Sequence, residues 1–138
     1  MSWLLWALLS AFFAGMTAVL AKVGVQEIDS NMATAIRTVV ILIFAWAIAL
    51  ITDHQPLSEI AKRTWIFLIL SGIATGLSWL CYFRALQLGQ VSRVAPIDKL
   101  SVVIAIALAA VFLREHLTWH DYVGGAFIFA GAVVLAYA

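Results

Sequence analysis

Val94-Ala95-Pro96-Ile97-Asp98-Lys99-Leu100-Ser101-Val102-Val103-Ile104-Ala105-Ile106-Ala107-Leu108-Ala109-Ala110-Val111-Phe112 is the stretch on which the fold turns. It approaches the length of about 20 helical residues needed to cross bilayer hydrocarbon, and it is almost wholly apolar. Yet an acid and a base stand side by side near its start. A soluble fold has little reason to be so apolar, and a bare anchor has little reason to keep such charges. Ionisable groups at membrane depth are costly and mark a polar interior. The stretch therefore reads as one helix of an integral membrane protein, with transport as the functional hypothesis.

Four further segments share its character. Spans are expected at about 3–21, 32–51, 64–86, 94–112 and 119–137. Arg37 lies in the first turns of the second, and Arg84 near the end of the third. The runs are too long for lipid-facing barrel strands and lack their alternation. An all-α integral membrane protein with five transmembrane helices follows, as a single domain over 1–138. Five is odd, so the termini are expected on opposite sides. Hydrophobic residues make up 65% of the chain against about 45–50% in soluble proteins, and only 11% are charged against about 25%. The net charge of +1, with no basic tail, argues against nucleic acid. The lone Cys81 forms no internal disulfide or thiolate cluster. The opening residues Met1-Ser2-Trp3-Leu4-Leu5-Trp6 lack a positive stretch, so the first segment is expected to be retained.

The links fit the spans. Gly24 to Asn31 is polar, and Thr52 to Arg63 is the longest, with Pro56. Gly89-Gln90-Val91-Ser92 is expected as a tight turn, with Gly89 left-handed and Ser92 capping the next helix. Pro96 then falls in the first turns of that helix, where a missing donor costs little. Thr118 and Asp121 fit a capping box, with Glu115 setting the preceding helix end. Lys62, Arg63 and Arg114 flank one membrane face; Lys22, Arg84 and Arg93 flank the other, four with Arg37. So small a bias barely sets an orientation, and it is what a chain inserting both ways would show. Trp3, Trp6, Trp65, Trp119, Tyr122 and Tyr137 cluster near span ends, where amphipathic rings favour the headgroup layer.

Asp98 is the leading site candidate, either as a proton or substrate group or as a counter-ion locking helices. It lies about one turn past Val94, off the midplane. Adjacent helical side chains diverge by about 100°, so Lys99 is a poor partner and Arg37 or Arg84 a better one. Lys99 and Arg84 are also long enough to snorkel outward. Arg37 sits deeper than an anchor needs, which suits an anionic group or a pair with Asp98. Ser78, Ser101, Tyr82 and Trp79 complete the candidate substrate or coupling set. Gly15 with Ala11, Gly72 with Gly76, Ala105 with Ala109, and Gly124, Gly125 and Gly131 are small-residue contacts for helix packing or a dimer. His54, His116 and His120 lack ligand spacing, so no metal is expected. No nucleophile, base and donor set or phosphate loop is present, so an enzyme is not expected.

An ordered set of motifs resembles the EamA-type domain of the drug/metabolite transporter superfamily over essentially the full length. They are Lys22, Arg37, Tyr82-Phe83-Arg84-Ala85-Leu86-Gln87-Leu88-Gly89, Val94-Ala95-Pro96, Leu113-Arg114-Glu115-His116-Leu117-Thr118, and Gly124 or Gly125 with Ala130-Gly131. Typical members have ten spans in two five-helix halves of opposite orientation. The resemblance implies that this chain is one half of an inverted-repeat transporter fold, completed by a second copy as an antiparallel homodimer. It implies a secondary active transporter, an exporter of a small polar or amphipathic metabolite working by alternating access. Proton or other ion coupling is compatible, with no cofactor. Asp98-Lys99 departs from the family, which is commonly uncharged there. The small four-span multidrug exporters are similar in size but use a first-helix glutamate, which is missing here. The competing readings are a non-transporting membrane scaffold or accessory subunit, and a flippase of lipid-linked substrates. Membrane lipid, a small-molecule substrate and a second copy are the expected partners. The expected place is a bacterial or archaeal inner (cell) membrane, as a multi-pass protein.

Overall fold

Hydrocarbon offers no partner to a backbone N–H or C=O, so a chain crossing it must bond to itself, and the helix does this within one segment. The computed structural model describes residues 2–138; its regular elements are helices, with no strand among the described residues. The elements are α1 (Ser2–Gly24), α2 (Ser30–Ile51), a 3₁₀ turn (Leu57–Glu59), α3 (Lys62–Leu88), α4 (Val91–Asp98), α5 (Leu100–Phe112) and α6 (Trp119–Tyr137). Five segments are long and apolar enough to span, with α4 and α5 together forming the fourth, Val91–Phe112. Valine and isoleucine are weak helix formers in water, yet α5 is rich in them. The bilayer removes the competing hydrated coil.

Several helices run beyond the apolar stretches. Hydropathy marks where hydrocarbon ends, whereas the helix ends where its hydrogen bonds do. At α2 the Asp29 carboxylate accepts from the Asn31 and Met32 N–H groups at 2.9 and 3.2 Å, so the helix starts two residues before the apolar run. The expected turn at 89–92 is corrected. α4 already begins at Val91 after an extended Gln90, which places Ser92 inside the helix rather than at its cap. No glycine among the described residues has positive φ, so Gly89 is not left-handed. Arg114 is, at φ 55°, just past α5. There the Ala109 carbonyl accepts from both Leu113 and Glu115 N–H at 3.0 and 3.3 Å, closing the helix without a glycine. At α6 Asp121 accepts from the Thr118 N–H at 2.7 Å and its hydroxyl at 2.8 Å, the reach-back bond of the expected capping box.

The chain divides into two compact units, Leu20–Gln87 and the remainder on either side. In the first, burial is concentrated at one end, where the last turn of α1, the first turn of α2 and the last turns of α3 meet. Ala21, Val25, Ala33, Phe83 and Leu86 are buried there, with Ser30 and Thr34. The Thr34 hydroxyl donates to the Ser30 carbonyl at 2.8 Å, so it brings no unmet polar atom inside. Lys22 Nζ donates to the Leu86 carbonyl at 2.6 Å, placing a cation on the negative end of α3. Gln87 Nε2 donates to the Val25 and Ile28 carbonyls at 3.1 and 2.8 Å, and its Oε1 accepts from Arg84 at 2.7 Å. Polar groups thus tie the α1–α2 link to the end of α3.

In the second unit α6 packs along both α4 and α5. Gly125 and Ala132 are the buried points of α6. A Cβ on Gly125 would meet Ile106 Cδ1 at 3.8 Å, an ordinary contact. Elsewhere the spans present apolar side chains outward. No more than 6% of any spanning window is buried, a surface suited to lipid or to a partner helix.

Replacing Gln87 by Ala strips partners from two carbonyls and from Arg84. We expect a loss of about 1–3 kcal/mol in stability, read as an earlier midpoint in SDS unfolding from maltoside micelles. An unmoved midpoint means that the Gln87 bonds do not hold this end together.

Candidate functional site

Two polar constellations interrupt the apolar spans, one in each unit. The first lies at the junction of α4 and α5. Pro96 is the sixth residue of α4, deeper than the first turn, and has no N–H to return to the Ser92 carbonyl. Beyond it the ladder tightens: Lys99 N–H bonds to the Pro96 carbonyl at 3.0 Å, and Val102 N–H to the Lys99 carbonyl at 2.9 Å. Lys99 takes φ −70° and ψ −5°, and the regular helix is interrupted at that residue. This changes the geometry on which the sequence reading rested. Lys99 Nζ stands 3.7 Å from Asp98 Oδ2, so the immediate neighbour is the ion partner of Asp98 after all. The divergence of adjacent side chains holds for a regular helix, and here the helix is not regular.

Within the helical stretch Val91–Phe112, Asp98 and Lys99 are the eighth and ninth residues. Of their side chains 36% and 55% are exposed. Lys99 also lines a groove of about 430 Å³ between α4 and α6, with Ala95 and Pro96 on one wall and Phe127, Ile128, Gly131, Ala132 and Leu135 on the other. Gly131 leaves room there, since nothing lies within 4 Å of where its Cβ would be.

The second constellation surrounds Arg37. It is seven residues into α2, about 10 Å along the axis from the helix start. Its guanidinium carbon lies 4.7 Å from the Trp79 ring centre and 5.1 Å from that of Phe83. Those rings are four residues apart and so stand one above the other on α3. An arginine at the centre of a span costs about 2.5–3.5 kcal/mol on insertion scales, and each ring returns about 0.5–2 kcal/mol. The rings thus offset much of the cost. Tyr82 is half-buried beside Phe83, with ring centres 6.4 Å apart.

Arg84 points to Gln87, so it has a structural partner within its own helix. Ser78 and Ser101 are exposed, and neither hydroxyl makes a hydrogen bond among the described residues. Gly15, Gly72, Gly76 and Gly124 have nothing within 4 Å of a Cβ position, so these small residues do not mediate close packing here. Trp46 lines an apolar cleft of about 460 Å³ with Leu42, Ala49, Leu57, Ile60 and neighbours. No group of three or more His, Cys, Asp or Glu could hold a metal among the described residues. Sequence reasoning missed Phe83 and Gln87. The signal was present, because Trp79, Phe83 and Gln87 recur every four residues on one face of α3.

Residues 1–137 match the EamA-like transporter family. This chain belongs to that family. The EamA-like chain is 58% identical over 136 residues to the "Uncharacterized transporter in cobO 3'region" of Sinorhizobium sp., covering 98% of this chain and 96% of that one. It is 28% identical to the Bacillus subtilis "Uncharacterized transporter YxxF" over 94% of its own length but only 41% of that protein's. It is 27% identical to the "Uncharacterized protein MJ1333.1" of Methanocaldococcus jannaschii, covering 94% and 92% of the two chains. No solved structure matches. Family membership makes this EamA-like chain a multi-pass membrane protein for secondary transport of small molecules, not an enzyme. Relatives from bacteria and an archaeon agree with an inner (cell) membrane location.

Transport through this groove requires that water reach Lys99. With Cys81 replaced by Ala, Lys99→Cys should react with a charged methanethiosulfonate about ten times or more faster than Ile104→Cys, since only a wet thiol ionises. Equal, slow labelling means that the groove is dry.

Proposed function

We propose that this protein is a secondary active exporter of a small polar or amphipathic metabolite, working by alternating access as an antiparallel homodimer. The observation that carries the reading is the interrupted fourth span. Transporters commonly place substrate and coupling ions near the bilayer middle, where a helix is broken and its polar groups face a cavity. Asp98 and Lys99 stand at such an interruption, beside a groove. In this reading Asp98 exchanges a proton or another ion as the groove opens alternately to each side. Lys99 pairs with the carboxylate until substrate or ion replaces it.

The relatives support two copies. The matched domain accounts for 96% and 92% of two of them but for only 41% of the third. The same unit thus serves alone and within a chain more than twice as long, as expected if a small member pairs with itself. Five spans put the termini of each copy on opposite sides, and the weak charge bias permits both orientations. An inverted pair then re-creates the inverted repeat. The open positions at Gly72 and Gly76 leave a smooth strip on α3 where another helix could approach.

Asp98→Asn should lower ion-coupled transport in proteoliposomes about tenfold or more, since a group kept at this depth is kept for its charge. Uptake and pH dependence equal to the wild type remove Asp98 from the mechanism. Single cysteines at either terminus of the Cys81→Ala chain should each be labelled by an impermeant reagent from one side of intact membranes, in similar amounts. Labelling of one terminus alone sinks the antiparallel pair.

A further inference from the structure

We propose that Arg37, held against Trp79 and Phe83, is the subsite for an oxyanion, so that the transported metabolite carries a carboxylate or phosphate. This rests on the transport reading above and deepens it by naming a substrate class. A guanidinium has five N–H donors, all directed outward in its own plane. Aromatic rings stabilise the charge but supply no oxygen acceptor for those donors. In the unit Leu20–Gln87 no ion pair or hydrogen bond among the described residues engages the Arg37 guanidinium. Other polar side chains at the same end of α3 are occupied: Gln87 holds Val25, Ile28 and Arg84, and Lys22 holds Leu86.

Depth agrees with this. Phe83 and Trp79 lie five and nine residues from the last residue of α3, Leu88, about 7 and 13 Å along its axis. Arg37, about 10 Å into α2, falls between them. A leucine would pack α2 against α3 without importing a charge. Arginine adds a planar fork that matches two oxygens of one carboxylate or phosphate. A phospholipid headgroup carries the same oxyanion, and binding in nanodiscs distinguishes the two sources.

The test measures equilibrium binding of radiolabelled inorganic phosphate and succinate to the full chain, in phosphate-free maltoside micelles and in phospholipid nanodiscs. Saturable binding of at least one probe is expected in both. Arg37→Gln should weaken it about tenfold or more, and Arg37→Lys should weaken it less, since it keeps the charge and loses the fork. Thermal unfolding of each variant monitors folding, and the lysine variant carries the test if the glutamine variant does not fold. No saturable binding to the wild type, or binding unmoved by either substitution, overturns the proposal. Binding in micelles that vanishes in nanodiscs also overturns it, because lipid then owns the site. A parallel uptake panel of anionic, zwitterionic and cationic solutes separates the two claims. Uptake confined to cations keeps the transporter and removes the oxyanion subsite. Arg37-dependent anion binding without uptake of any solute keeps the subsite and removes transport.

Discussion

The absence of water from the bilayer core is the constraint on which everything else in this protein depends. It forces each crossing segment to bond its own backbone, so even the valine- and isoleucine-rich α5 is helical. The same constraint makes each departure from regularity expensive. One such departure is placed at Pro96, in the span that also holds Asp98 and Lys99. A missing N–H and two charges share a few residues of chain, so one polar region can serve all of them. A proline elsewhere in the span would have opened a second wet place with nothing to use it.

The polar residues fall into two kinds. At the end of α3, Lys22, Arg84 and Gln87 are joined to carbonyls and to one another, and the buried apolar side chains Val25, Phe83 and Leu86 close around them. This is a fixed joint. Asp98, Lys99 and Arg37 differ. Among the described residues the first two pair only with each other, at 3.7 Å, and the third lies beside two aromatic rings. Occupied hydrogen bonds resist motion and mark structure, while open donors and weak pairs can be exchanged for a ligand. On that physical ground Arg84 is tied and Arg37 is not, although the two looked alike in sequence.

How much was legible follows from how far each signal reaches along the chain. Runs such as 94–112 announce a span because twenty apolar residues have no other stable setting. The Thr118 and Asp121 pair reported its cap because both partners lie within one turn. The turn at Gly89 misled, because a glycine permits left-handed backbone without requiring it. Arg114, which adopts that conformation, carries no such mark. The Asp98–Lys99 pair was set aside because the ideal helix was assumed, and one irregular residue changed the answer. Phe83 and Gln87 passed unnoticed because their partners, Arg37 and the Val25 and Ile28 carbonyls, lie on other elements.

The amino-acid sequence by itself determined the medium, the number of apolar helices and the family, for these depend on composition and on motifs short enough to read in line. Only the tertiary structure decided which charges are tied and which are free. It brought Arg37 to the Trp79 and Phe83 rings, set Lys99 in a groove against α6, and paired Lys99 with Asp98. Those outcomes depend on where one helix stops and which face another turns toward it. Such relations are set by packing between residues distant in the chain, which no local pattern encodes.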